Sequence, residues 1–357
     1  MAEIVDDRER ARRLCTRAVN ELWPKAAIAT VTPMMGDASA RRYLRCEIVA
    51  SEPSQTPSTV VIMLMDDVGL PISSAELGVF GAQGPAELPF VNVWRFLSKI
   101  TDAVPHIFRT YASEGGLVLE DVGDVSLWES ATRATDRNED PFWRALLLLR
   151  DLQRRAVDDG SGCYAFRQTF DARLFGWEFE HFLEYGLAPR VPTSDRTRCH
   201  GELMAVAERL GDLPRAFCHR DFHAWNIHVR DGRLRLLDFQ DALLGPRLYD
   251  VASLLTDRTT PQLIDSRYEE QLVMRFADGL AVGGDPLEVY RLCAFQRVLK
   301  VIGRFNFLAE RKGKPHYRQI LPSVVATARC LATQLDGIDQ TRRILEDGVK
   351  AGPVGNP

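Results

Sequence analysis

Apolar residues recur four apart near the start of the chain, at Leu14, Ala18 and Leu22 among charged neighbours, which places them on one face of a helix. The pattern predicts a helix over residues 3–23, ending at Trp23-Pro24. Beyond it the period shortens. Runs rich in β-branched residues at 27–32, 43–50 and 59–65 are separated by turn-forming stretches at 33–40 and 51–58, so three antiparallel strands with two loops are expected. A helix is expected over 90–100, and the compact apolar run 116–122 reads as a fourth or fifth strand leading out of the sheet.

After Gly123 the period lengthens to that of a helix, over 141–156, 170–185, 196–210, 249–255, 268–281, 287–308 and 321–335. One interruption stands out. Short alternating segments at 227–229 and 234–237 flank Arg230-Asp231-Gly232-Arg233, whose Asp-Gly pair is a hairpin signature. No internal repeat is visible, and the terminal AGPVGNP is expected to fray.

Length changes the picture first: 357 residues suffice for two domains or lobes, each with its own core. With 45 Lys+Arg against 49 Asp+Glu, the net charge of −4 argues against a general nucleic-acid binder. The longest mostly apolar runs, 60–65 and 145–149, fall far short of the roughly 20 residues that a membrane helix needs. The first residues, MAEIVDDRERARR, lack the apolar core of a secretory signal, so a cytoplasmic protein is expected. Seven cysteines, odd in number and without CxxC spacing, are expected to be reduced thiols.

The chemistry concentrates in Cys218-His219-Arg220-Asp221-Phe222-His223-Ala224-Trp225-Asn226, followed after the hairpin by Asp238-Phe239-Gln240-Asp241. This is the phosphotransfer pattern His-Arg-Asp-x-x-x-x-Asn, with Asp-Phe-Gln in place of Asp-Phe-Gly. The spacing has a physical reason: a loop Asp accepts the proton of an attacking hydroxyl while an Asn five positions on reaches a Mg²⁺ on the phosphates. A second Asp, returned by the hairpin, holds the metal from the other side. Oxygen donors favour Mg²⁺ over zinc. Blander readings exist: Asp221 and Asn226 as loop caps, and His219 with His223 as half of a zinc helix, although Arg220 stands where HExxH needs Glu. His223 and His228 read individually as hydrogen-bonded structural residues, and Asp250 as a helix cap or a brace beneath the loop.

The chain resembles the aminoglycoside phosphotransferase-type small-molecule kinases, and within them the bacterial cell-wall sugar kinases acting on the anomeric hydroxyl of N-acetylmuramate and N-acetylglucosamine. The resemblance rests on Gly36-Asp37-Ala38-Ser39 with Arg41-Arg42-Tyr43, on Leu117 to Gly123 (LVLEDVG), on the loop His219 to Asn226, and on Asp238 to Ala242 (DFQDA). It continues through Gly245-Pro246, Tyr249-Asp250 and Gln296 to Phe305 (QRVLKVIGRF), covering residues 8–335. It implies that backbone N–H groups of the turn holding Gly36, Asp37 and Ser39 approach the ATP phosphates, although the turn also reads as an ordinary hairpin. It implies further that Glu120 to Val122 form the hinge that binds adenine, Asp221 is the base, and Asn226 with Asp238 hold Mg²⁺. The third strand, Val60 to Asp66, lacks the customary kinase Lys. Arg42, with Arg41 and Arg45, is the candidate replacement cation, unless these arginines simply face solvent.

Only residues 239–248 separate Asp238 from the next helix, and no Ala-Pro-Glu follows, so no long activation segment can dock a protein substrate. A small molecule is indicated. The stretch between hinge and catalytic loop supplies helices for a pocket, and its segment Phe175 to Phe182 offers Glu178 and His181 among aromatics, as sugar sites do, or else is an amphipathic core helix. Arg297, Lys300 and Arg304 fall on one helical face, able to meet an anion such as a lactyl carboxylate or to form a solvated stripe. His223 and Asp241 complete the candidate substrate contacts.

The expectation is an α+β, bilobal protein-kinase-like fold. A small antiparallel β N-terminal lobe (1–122) binds nucleotide, a larger mainly helical lobe (123–340) carries catalysis and substrate, and a tail follows (341–357). The resemblance implies ATP bound between the lobes, Mg²⁺, an amino-sugar substrate, a sugar 1-phosphate product and a role in peptidoglycan recycling. A monomer without nucleic-acid or membrane partners is expected. Two alternatives stand: a kinase of aminoglycosides or other small alcohols, favoured by acids near Glu178, and an ATP-binding pseudokinase, suggested by the missing strand Lys.

Overall fold

The computed structural model describes residues 2–34, 41–51, 56–66, 85–133 and 140–350. The expected phosphate turn with Gly36, Asp37 and Ser39 lies outside these residues, as does the terminal segment 351–357. The chain forms two compact units, one of residues 1–125 with 228–237 and one of residues 126–227 with 238–357.

In the first unit, helix α1 (Ala2–Leu22) buries Ala11, Leu14, Cys15, Ala18 and Val19 against a sheet, the stripe that the four-residue spacing predicts. The sheet holds β1 (Ala26–Pro33), β2 (Arg42–Ala50), β3 (Thr59–Leu64), β4 (Ile107–Tyr111) and β5 (Gly116–Glu120) in the antiparallel order β1-β2-β3-β5-β4. Strand β3 is central and buried from Val60 to Leu64, hence its unbroken apolar run. Strand β4 escapes the sequence pattern because it lies at the sheet edge and reads Ile-Phe-Arg-Thr-Tyr, with little alternation. Helix α2 (Pro89–Leu97) follows the expected helical segment.

The hairpin of Ile227–Arg230 and Arg233–Leu236 turns at Asp231 and Gly232, with φ of 51° and 72°, the positive pair that a type I′ turn requires. Its backbone joins the first unit, with Val229 N–H donating to Val125 O (2.8 Å) and Leu236 N–H to Ala103 O (2.7 Å). A division of the chain at one point near residue 122 therefore misses this return. Sequence distance does not show which unit supplies hydrogen-bond partners to an isolated hairpin.

The second unit consists mainly of helices α3 (Leu127–Arg133), α4 (Pro141–Arg155), α5 (Ala172–His181), α6 (Thr193–Gly211), α7 (Tyr249–Leu255), α8 (Ser266–Ala277), α9 (Pro286–Arg311), α10 (Leu321–Ala332) and α11 (Asp339–Asp347). Asp140, Asp171, Asp265 and Asp285 each accept a backbone N–H in the first turn of the helix they precede, a cap worth about 1 kcal/mol. Helix α3 begins with a reciprocal Ser126–Glu129 capping box, a short signal that apolar periodicity overlooks. Helix α11 corrects the expected tail at 341–357. It buries Thr341, Ile344 and Leu345 and packs on α6 and α10, and the Glu202 carboxylate accepts N–H from Gln340 and Thr341, both at 2.7 Å. The charged residues around its two apolar positions hid it.

Helix α9 is the axis of this unit, touching α5, α6, α7, α8 and α10 and the π-helical turn Phe182–Gly186. A Cβ at Gly303 would come within 2.8 Å of the Phe182 backbone, so this glycine lets the two segments meet. Gly201, exposed inside α6, has open space around its missing Cβ. One substitution therefore has opposite signs at the two sites. Gly303→Ala is expected to lower stability by about 1–3 kcal/mol through overpacking, whereas Gly201→Ala raises it by about 0.5–1 kcal/mol through helix propensity. Urea midpoints at constant slope measure both.

Candidate active site

The strand Arg215–Cys218 pairs antiparallel with Leu243–Pro246, with Cys218 opposite Leu243. This short ladder makes the loop His219–Asn226 leave the point to which Asp238–Asp241 returns, so residues distant in sequence become neighbours. Two carboxylates hold the loop. Asp250 on α7 accepts the N–H of His219 (2.6 Å) and of Arg220 (3.0 Å). Burial pushes its carboxyl up to about 7, against the pull of those two donors. Asp257 accepts the N–H of Ala224 (3.2 Å) and of Thr260 (3.0 Å), and the Trp225 indole donates to Thr259 Oγ1 (3.0 Å).

Arg220 and Asp238 are non-glycine residues in the left-handed region, with φ of 74° and 62°. Such backbone persists where surroundings over-determine it. The Arg220 guanidinium is buried, donates to Glu178 Oε1 (2.8 Å) and lies 5.4 Å from the Phe170 ring centroid. Glu178 also accepts from Gln296 (2.7 Å) and pairs with Lys300 (3.3 Å). Arg297 on α9 donates to Arg220 O (3.1 Å) and lies 3.5 Å from Asp221 Oδ1.

Among the described residues the Asp221 carboxylate receives no backbone N–H, so it is not spent as a loop cap. Burial opposes its charge, but Lys300 and then Arg297 outweigh burial and hold the carboxyl well below the usual range. His223 moves the other way for a cation: burial, then the Arg297 charge, lowers its imidazole and keeps it neutral. Asn226 Nδ2 donates to Asp221 O (2.9 Å) and lies 3.2 Å from His223 Nε2. Asp238 Oδ1 accepts from Gln240 Nε2 (2.9 Å), and the Asp238 charge reaches His223.

A carboxylate at 238 and an amide oxygen at 226 suit Mg²⁺, which takes few protein ligands and completes its shell with phosphate oxygens and water. No closed cage of three or more His, Cys, Asp or Glu exists among the described residues, and His219 is instead buried against Phe222. That geometry does not fit a structural zinc site.

Three sequence candidates turn out to be engaged elsewhere. Arg42 pairs with Asp66 (2.6 and 2.8 Å) and Asp7 (2.6 Å), and Arg45 forks onto both Asp121 and Asp124. Glu178 is buried within its cluster and offers no carboxylate to a ligand. In the first unit the Glu120 carboxylate is held by Arg235 (2.5 and 2.7 Å) and by the His106 N–H (2.9 Å), leaving its backbone at the end of β5, with Val122 buried beyond it. In the second unit, His181 stacks on Trp177 (5.3 Å between centroids), and Asp241 lies near enough for its charge to act on Arg220. Periodicity missed Asp257 and Gln296. The Asp257-x-Thr259-Thr260 turn signature was a readable cue for the first; the second stands at the head of the QRVLKVIGRF motif, where nothing local pointed to its bond with Glu178.

A parallel between fold and loop defines the class, an α+β kinase of protein-kinase-like architecture. The phosphotransferase enzyme family model matches residues 75–291. The chain is 36% identical over 323 residues to the N-acetylmuramate/N-acetylglucosamine kinase of Caulobacter vibrioides, covering 80% of this chain and 83% of that protein. It is 27% identical over 322 residues to the protein of that name from Pseudomonas aeruginosa, covering 85% and 84%. Its fold is similar to that of an ADP-bound aminoglycoside phosphotransferase, with a TM-score of 0.56 at 14% identity, over 90% of this chain and 97% of the other. The chain belongs to the phosphotransferase enzyme family.

The Glu178 cluster sets a pH dependence. Although burial opposes its charge, Lys300, Arg220 and Gln296 hold the Glu178 carboxyl below its ordinary value. With a folded value below the unfolded one, its contribution is present above about pH 4.3 and is lost as pH falls through the folded value. Glu178→Gln leaves Arg220 and Lys300 without their carboxylate and is expected to cost about 3–5 kcal/mol at pH 7. Urea unfolding at pH 7 and pH 3.5 should show this gap narrowing in acid; an equal gap at both would assign the loss to packing.

Proposed function

We propose that the chain is an ATP-dependent kinase for the anomeric hydroxyl of an N-acetylated amino sugar, N-acetylmuramate or N-acetylglucosamine or both, acting in cytoplasmic peptidoglycan recycling. The single observation that carries the reading is the braced loop, which leaves Asp221 without a backbone cap in a chain similar over most of its length to relatives that bear this name. Among the described residues no helix is long and apolar enough to cross a membrane.

In this reading Asp221 aligns the sugar hydroxyl and takes its proton as the new oxygen–phosphorus bond forms and the bond to the leaving ADP breaks. A carboxyl held so acidic is a weak base, so its main work is orientation, with the proton arriving late as the hydroxyl acidifies. Neutral His223 adds no second charge beside it. Asn226 and Asp238 would hold Mg²⁺, which when bound neutralises charge on the transferring phosphates. Adenine binding falls to the backbone of residues 120–122, and phosphate binding to Gly36, Asp37 and Ser39, which lie outside the described residues.

The engagement of Glu178 weakens the aminoglycoside alternative, since that carboxylate is not free to receive a polycation. The test is ADP release from Mg-ATP with N-acetylmuramate, N-acetylglucosamine, glucose and kanamycin. Turnover is expected with the two N-acetylated sugars, and phosphorus NMR should find the phosphate on the anomeric carbon. Asp221→Asn is expected to lower kcat by about 10²–10⁴-fold while ATP binding persists. Turnover of kanamycin alone would select the antibiotic kinase, and ATP binding without turnover of any acceptor would select the pseudokinase.

A further inference from the structure

Three cations share one face of α9, and two are spent. Arg297 is tied to the Arg220 carbonyl and lies near Asp221, and Lys300 is paired with Glu178. Arg304, one turn further on, is half-buried, and among the described residues its guanidinium has no carboxylate and no hydrogen-bond acceptor. It lies over the Phe307 ring, 5.4 Å from the centroid. Phe307 continues into an aromatic wall, with Tyr185 at 5.0 Å and His181 at 5.2 Å, and His181 stacks on Trp177.

A half-buried cation without an ion pair or hydrogen bond is a standing cost, removed when an anion arrives. Burial draws Arg304 below the ordinary guanidinium range, and the negative charge of Asp221 reaches it from the catalytic loop. Seven residues of helix separate Arg304 from Arg297, about 10 Å. That is the scale of a hexose ring with a short substituent, one end of the molecule at Asp221 and the other at Arg304.

We propose that Arg304 is the specificity-determining residue of this site, receiving through its two-pronged guanidinium the carboxylate of an acidic ether substituent on the amino sugar. N-acetylmuramate carries such a lactyl carboxylate and N-acetylglucosamine lacks it. The wall of His181, Tyr185 and Phe307 lies beside the apolar face of the ring. The assignment rests on the amino-sugar reading of the Asp221 site.

The test compares kcat/KM for the two sugars in Arg304→Met, which keeps an apolar stem on Phe307 and removes the charge. The ratio of N-acetylmuramate to N-acetylglucosamine is expected to fall about 10–100-fold, mainly through KM. Arg304→Lys should recover part of it, a point charge replacing the fork. Lys312→Met, 5.8 Å from the Phe307 centroid and exposed, should leave the ratio unchanged. An unchanged ratio in Arg304→Met overturns the proposal, and so does equal loss for both sugars, which would make Arg304 a packing residue. If the wild-type protein phosphorylates only N-acetylglucosamine, Arg304 has no carboxylate to read and the proposal falls alone. If it phosphorylates neither, the amino-sugar reading has failed and the proposal falls with it.

Discussion

Two backbone N–H groups, those of His219 and Arg220, end on the buried carboxylate of Asp250, and the geometry of the loop His219–Asn226 follows from that contact. Arg220 adopts a left-handed backbone that a β-carbon disfavours. The contact satisfies donors that burial would otherwise leave unpaired, and so offsets the strain. The turn it maintains points the Arg220 side chain into the core toward Glu178 and leaves the carboxylate of the next residue, Asp221, free of backbone donors and facing Arg297 at 3.5 Å. Asp257 repeats the device at Ala224, so both halves of the loop hang from acids on the chain that follows it.

Beneath the loop lies a buried cluster of Glu178, Arg220, Gln296, Arg297 and Lys300. Ion pairs this deep return little net stability, because desolvation consumes most of the Coulombic gain. Their effect is on position and charge. They join α5 and α9 to the loop, and they surround Asp221 with positive potential that keeps it ionised. At Gly303, between Lys300 and Arg304, α9 comes close to the Phe182 backbone, where a β-carbon would not fit.

Much of the fold was legible in the sequence. The stripe of α1, the three leading strands, the Asp-Gly turn and most of the long helices follow from local periodicity and turn chemistry, which depend on neighbours a few residues away. Elements with weak or short signals were not: the edge strand β4, the capping-box helix α3 and the charge-rich helix α11. Of the site, the spacing of Asp221 and Asn226 and the recurrence at Asp238 were readable. The partners were not. Arg42 and Glu178 carry the right charge for phosphate or sugar, yet each is consumed by residues far away in sequence.

The sequence by itself therefore determined most strands and helices and the residue types of the loop His219–Asn226, because backbone preference and side-chain chemistry are local properties. Tertiary structure decided which charges are spent and which remain. Arg297, Lys300 and Arg304 are equivalent as a helical stripe, and only packing against Asp221, Glu178 and Phe307 distinguishes them. An ion pair depends on distance and desolvation, and those are set by which elements meet.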